Sequence, residues 1–245
     1  MYPLQTLHTI LPGSRSITES DGPSMKRIAI IGGSLRGLSA AHALLDLDSE
    51  TEVHIIEESA EIGLIGEGPG LIGSWPIMPE HWLADLRNQT PETSNSAVRR
   101  SWMKKAMAIA LGRRGASLHL RTRVSSSTPN KIQFSGAGYL GSGSMEVDQV
   151  IESRVNGEGT EWDGGVCLPE HAPKTERMGM RSDGTIEVWW KDEDQGSNTW
   201  IHRMKWLGEE PRDSLVGEIA DGKSMAAKSI ETIKQTDIGQ RDDHV

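Results

Sequence analysis

The 245-residue sequence holds a single cysteine, Cys167, which excludes a disulfide framework, a CxxC redox pair and a cysteine-rich zinc site. Basic residues are also short, with 26 Lys and Arg against 35 Asp and Glu for a net charge of -9. A sequence-independent nucleic-acid binder needs a basic face, so this balance argues against a nucleic-acid partner. No apolar run approaches the roughly 20 residues of a membrane-spanning helix. HExxH, GxSxG, Walker A and metal-spaced His/Cys patterns are all missing, which removes support for a hydrolase, a kinase or a metal centre. Phe occurs once and Tyr twice. Against these shortages stand eight Trp and 27 Gly, in a length suited to one large domain or two small ones.

Residues 1–24 carry Pro, Ser and Thr without a period and lack the charged and apolar regions of a secretory signal. They are expected to be a disordered leader, with a cytoplasmic location. Residues 236–245 are polar and expected to fray. The ordered domain should therefore run over 25–235.

Its first element is Arg27-Ile28-Ala29-Ile30-Ile31, a near-continuous apolar run that reads as a strand buried on both faces of a parallel sheet. Gly32-Gly33-Ser34-Leu35-Arg36-Gly37 follows, then the Ala- and Leu-rich stretch Leu38–Leu45, which reads as a helix. A second apolar strand, Val53-His54-Ile55-Ile56, ends on Glu57 and Glu58. This is a βαβ unit with a glycine turn at the helix N-terminus and an acid at the tip of the second strand. Gly32 allows the tight turn and Gly37 the close packing of helix on strand. Free first-turn amides and the helix dipole suit a pyrophosphate, and an acid at the distance of Glu57 suits a ribose diol. Ser34 stands where the second glycine of such a turn is usual.

Residues 26–63 resemble the FAD-binding members of the two-dinucleotide-binding-domain flavoproteins, which include pyridine-nucleotide disulfide reductases and flavin monooxygenases. The resemblance implies an α/β, Rossmann-like FAD/NAD(P)-binding fold with a parallel sheet and a small antiparallel region. It also implies that the turn Gly32, Gly33, Ser34, Leu35, Arg36 and Gly37 contacts the diphosphate, Arg36 adding a charge, and that Glu57, beside Glu58, holds the adenosine ribose. In that family a helix leads into a strand whose Val lies beside the adenine. Residues 98–113 have apolar positions at 102, 103, 106, 107, 110 and 111, a helical spacing, and 117–124 alternate like a strand ending on Val124. Near the C-terminus, 214–227 are similar to the family's flavin-closing strand, Gly-Asp pair and helix. That implies roles for Gly217, Glu218 in place of Asp, and Asp221 as the alternative acid. Family members are usually longer, and no second nucleotide domain is recognisable in this sequence.

A second formal GxGxxG begins at Gly136, but no small-residue helix follows it, so it reads as a β-hairpin loop between strands at 131–134 and 145–151. The latter strand is expected to return to the main sheet. The glycine-rich 63–73 offers backbone that approaches something flat or charged, or a surface loop, with Glu67 its ionisable side chain. Residues 75–83 can wall a substrate or pack a core, and His81 is a candidate acid/base. Residues 154–213 form a β-rich insertion, in which 185–190 and 199–206 are expected to pair as a Trp-rich hairpin. Cys167 reads as a packing residue.

The reading that follows is an FAD-dependent oxidoreductase moving a hydride or electrons on a small-molecule substrate, supplied by NAD(P)H or a partner reductase. The rivals are an NAD(P)-dependent Rossmann enzyme and a non-catalytic FAD-binding or degenerate module acting through a partner.

Overall fold

The computed structural model describes residues 25–64, 67–84, 89–136, 141–154, 159–191 and 199–242, with side chains as far as 235. β1 (Arg27–Ile31), α1 (Leu35–Leu47) and β2 (Glu52–Ile56) form the expected unit. A four-stranded sheet has the order β3-β2-β1-β7, with β3 at Ser117–His119 and β7 at Gln149–Glu152. Every pairing in it is parallel. The apolar run of β1 is explained by cover on both sides, since successive residues of a strand face opposite ways. Ile28 and Ile30 point into a cluster with Leu38, Leu44, Met103 and Leu215. Ala29 and Ile31 point into another with Ile132, Phe134 and Val147.

The first cluster comes from helices: α1, α2 (Arg100–Arg113) and α3 (Pro211–Asp242). The second comes from an antiparallel meander of β4 (Thr122–Thr128), β5 (Lys131–Gly136) and β6 (Ser142–Glu146). A third sheet, antiparallel, has the order β11-β8-β10-β9. Its strands are β8 (Thr160–Cys167), β9 (Met178–Met180), β10 (Ile186–Trp190) and β11 (His202–Gly208).

Four local expectations need correction. The single strand over 117–124 is two, because Arg121 adopts a left-handed φ of 52° and the chain leaves the parallel sheet for the meander there. The strand over 145–151 is likewise divided: Val147 and Asp148 turn the chain, with the Arg27 amide donating to the Asp148 carboxylate at 2.7 Å. Its second half, β7, does join the main sheet beside β1. The Trp-rich strands do not pair with each other, because β8 runs between β10 and β11. Gly164 and Gly165 of β8 make that possible: a Cβ on either would run into the Trp189 or Trp200 ring. Residues 214–216 form no strand but lie in α3. Leu215, Ile219, Gly222, Ala226, Ser229 and Ile233 are buried at helical spacing along it. α3 itself runs through Asp242.

The second formal GxGxxG falls between the antiparallel strands β5 and β6, with no helix between β6 and β7; its residues 137–140 lie outside the described residues, as does the leader 1–24. No helix among the described residues is long and apolar enough to cross a membrane.

Candidate functional site

The C-terminal ends of β1, β2 and β7 lie side by side; β2, which the chain reaches from β1 through α1, and β7, which it reaches only after the meander, flank β1 on opposite sides. Such a switch point is where open parallel sheets form a ligand crevice. Gly32 leaves β1 with a φ of 103°, a conformation that favours glycine. Ser153, fully buried after β7, shares its hydroxyl proton between the Ile31 and Gly32 carbonyls at 2.9 and 2.8 Å. A Cβ on Gly37 would run into that hydroxyl and the Gly32 carbonyl. Ser34 is the N-cap of α1, its Oγ accepting from the Gly37 amide at 3.1 Å and donating to the Ser153 carbonyl at 2.8 Å. Its hydroxyl is thus engaged with the turn itself. Of the amides of Ser34, Leu35, Arg36 and Gly37, only that of Gly37 has an acceptor among the described residues.

Glu57 reaches back to this turn. One carboxylate oxygen accepts from the Gly33 amide at 2.6 Å and the other from the Ser59 amide at 2.8 Å. Burial pushes its pKa up, but the hydrogen bonds from Ser59 and Gly33 outweigh burial and leave the carboxyl below its usual range.

Three clefts meet around the turn, and Arg154 borders all of them. The first, about 240 Å³, brings Gly32, Glu57, Glu58 and Val124 together. The second, about 360 Å³, lies between the turn and α2 and is lined by Gly33, Ser34, Glu57 and Lys104. The third, about 590 Å³, faces α3 and is lined by Arg36, Gly217, Glu218 and Asp221. Arg36 pairs with Asp221 at 3.3 Å, while its Nε is buried without an acceptor among the described residues. Leu35 and Gly37 are buried beneath the turn. The positions expected from sequence therefore gather in one region.

Their individual states differ from expectation. Glu58 is exposed and pairs with Arg123 at 3.4 Å. Gly217 lies inside α3, where a Cβ would meet nothing within 4 Å. Glu218 is bound to the buried Arg100 guanidinium, which also donates to the Pro69 carbonyl and Ser214 Oγ, both at 3.2 Å. Its carboxylate ties α2 to α3. The glycine-rich loop does approach something flat and charged, namely this guanidinium, which a Cβ on Gly68 would crowd. Gly70 donates to the fully buried Glu187 at 2.7 Å.

The acid/base candidates lie outside the clefts. Glu67 accepts from the Ser101 hydroxyl and amide, capping the start of α2. His81 is exposed and pairs at 2.8 Å with Asp46, at the far end of α1 from the glycine turn. Trp82 and Met78 belong to the main core, and Trp82 stacks on His42 at 5.2 Å. Cys167 is buried among Ile186, Val188 and Trp190, and burial raises its thiol pKa.

Sequence reasoning missed Ser153, Arg154 and Lys104. The first two follow the parallel strand β7, and position at such a strand end is a readable signal. Lys104 had none, since only the packing of α2 turns it toward the glycine turn.

No family model and no curated protein matches the sequence. Solved structures do match in fold. A flavoprotein/dehydrogenase from Cytophaga hutchinsonii is 10% identical with a TM-score of 0.54, over 85% of this chain and 79% of that one. The p-nitrophenol 4-monooxygenase of Pseudomonas putida DLL-E4 is 11% identical with a TM-score of 0.58, over 86% and 81%. The glycine oxidase of Bacillus cereus ATCC 14579 is 14% identical with a TM-score of 0.56, over 85% and 96%. The chain has the Rossmann-like FAD/NAD(P)-binding fold. Its glycine turn and Glu57 occupy the ends of adjacent strands of the parallel sheet.

Proposed function

We propose that this chain binds FAD and acts as a flavin-dependent oxidoreductase on a small molecule, with NAD(P)H or a partner reductase supplying electrons. The observation that carries this reading is the joined geometry of turn and acid, Glu57 bonded to the Gly33 amide at 2.6 Å beside the first turn of α1. The residues fit the group. The amides of Ser34, Leu35 and Arg36 are available to a diphosphate, and Gly32 and Gly37 are positions where a side chain would strain or obstruct the cradle. Each Glu57 oxygen accepts one amide and so retains acceptor capacity for a ribose diol. Val124 borders the same cleft on the adenine side. When bound, FAD supplies the hydride or electron transfer, and the protein supplies orientation and electrostatics. Fold relatives that are named a monooxygenase, an oxidase and a flavoprotein/dehydrogenase support redox chemistry for this chain.

Residues 25–235 act in this reading as one dinucleotide-binding domain carrying the antiparallel sheet of 160–208 as an insertion. A second reading, a flavin-binding module that works through a partner, draws on one observation. Glu67 and His81 are engaged in structural contacts away from the three clefts, and Glu218, which lines the cleft facing α3, has its carboxylate bound to Arg100.

The test is the visible spectrum of the purified protein, as isolated and after incubation with FAD and removal of excess. The proposal expects the bands of bound oxidised flavin; a colourless protein that takes up no FAD overturns it. Anaerobic bleaching of those bands by NADH or NADPH then separates an enzyme from a module.

A further inference from the structure

Three cations surround the glycine turn, and they differ in how their charge is answered. Arg154 is held by both oxygens of Glu152 at 2.8 and 2.6 Å, and Arg36 by Asp221 at 3.3 Å. Lys104 is different. It lies half-buried on α2, lines the cleft that Gly33, Ser34 and Glu57 also line, and has no ion pair or hydrogen bond among the described residues. The carboxylates whose fields it feels are Glu57, Glu218 and Glu67, and all three have other partners: backbone amides, Arg100 and Ser101 respectively.

This arrangement is electrostatically costly in the protein alone. Burial lowers the Lys104 pKa first, and the neighbouring Arg100 guanidinium lowers it further. Across the cleft stands the positive end of α1, with amides that have no acceptor. A half-buried ammonium facing a helix N-terminus is repelled by it, and one anion between them reverses both penalties. It accepts from the amides on one side and from the ammonium on the other, in charge-assisted hydrogen bonds.

We propose that Lys104 is a further ligand of the dinucleotide, donating to its diphosphate from the α2 side opposite the glycine turn. The inference rests on the FAD reading for the identity of the dinucleotide, but needs only a diphosphate for its chemistry.

The experiment titrates the full chain with FAD, followed by flavin fluorescence, for the unmodified protein, Lys104→Met and Lys104→Arg at two salt concentrations. Loss of one charge-assisted hydrogen bond predicts affinity about 10-fold or more weaker in Lys104→Met. The Met variant should also depend less steeply on salt, and Lys104→Arg should retain affinity to within about 3-fold. A merely structural lysine moves neither the salt dependence nor the rescue. Affinity of Lys104→Met within about 2-fold of the unmodified protein overturns the inference and leaves the FAD reading standing. If the unmodified chain binds no FAD, that reading fails, and the same titrations with ADP judge Lys104 by themselves. Weaker ADP binding in Lys104→Met supports the inference, and no ADP binding to any form overturns it.

Discussion

Gly37 and Gly217 both stand in segments that resemble dinucleotide-binding motifs, yet the protein needs glycine at only one of them. At Gly37 a Cβ would collide with Ser153 Oγ and the Gly32 carbonyl, and the backbone atom has nowhere to move. Gly37→Ala should cost about 1–3 kcal/mol, the range for overpacking a fitted core. At Gly217, inside α3 with open space around it, an added methyl removes only helix entropy cost. Gly217→Ala should stabilise by about 0.5–1 kcal/mol. Urea denaturation of the two variants checks both signs. His42 sets a pH dependence at the same scale. It is fully buried, its Nε2–H donating to the Met107 carbonyl at 3.1 Å and its Nδ1 accepting from Arg114 at 2.9 Å, an arrangement of the neutral ring. Burial first, with the Arg114 charge, lowers its pKa from 6.5 to about 4. Between these values the unfolded chain binds a proton that the folded one refuses, so stability falls as pH drops from 6.5 through 4. The loss attributable to this group is at most about 3 kcal/mol. Stability measured across that range should show it, and His42→Gln should remove that part of the slope.

At the scale of elements, β1, α1 and β2 were legible because their residues face a buried environment all round and their turn demands glycine. α2 was legible from its spacing. The order of the Trp-rich strands was not, since alternation in 185–190 and 199–206 shows which residues share a face but not which strand lies between them. Gly164 and Gly165 hold that information, in the room they leave for Trp189 and Trp200, but a strand-like run does not by itself say which strands flank it. The N-terminal part of α3 was misread for a related reason. Ser214–Val216 resembles a strand that precedes a Gly-acid pair, whereas Leu215 and Ile219 begin a stripe that runs on to Ile233. The site followed the same division: Glu57 sits at a strand tip that sequence locates, and Lys104 on a helix face that only tertiary packing aims. Glu187 joins the elements. It accepts from the Gly70 amide, Trp189 Nε1 and, through two bonds of 2.9 and 2.6 Å, Arg181, tying the glycine-rich loop to β10. Glu187→Gln leaves the Arg181 charge buried with only a neutral partner and should cost about 3 kcal/mol, read as a lower urea midpoint.

For the molecule as a whole, the parallel sheet between helices and meander presents one crevice, at the ends of β1, β2 and β7. Gly32, Glu57 and Val124 lie together on one side of it, and Arg36 and Asp221 on the side facing α3. The proposed orientation therefore places the adenylate, not the flavin ring, over the best-defined contacts. Comparison of FAD with FMN, which lacks the adenylate and its ribose, tests this most directly. Both are titrated into the protein by isothermal calorimetry at one salt concentration. FAD should bind and FMN should bind at least about 10-fold more weakly, through loss of the Glu57 and adenine-side contacts. Equal affinities, or heat from neither ligand, would contradict the account.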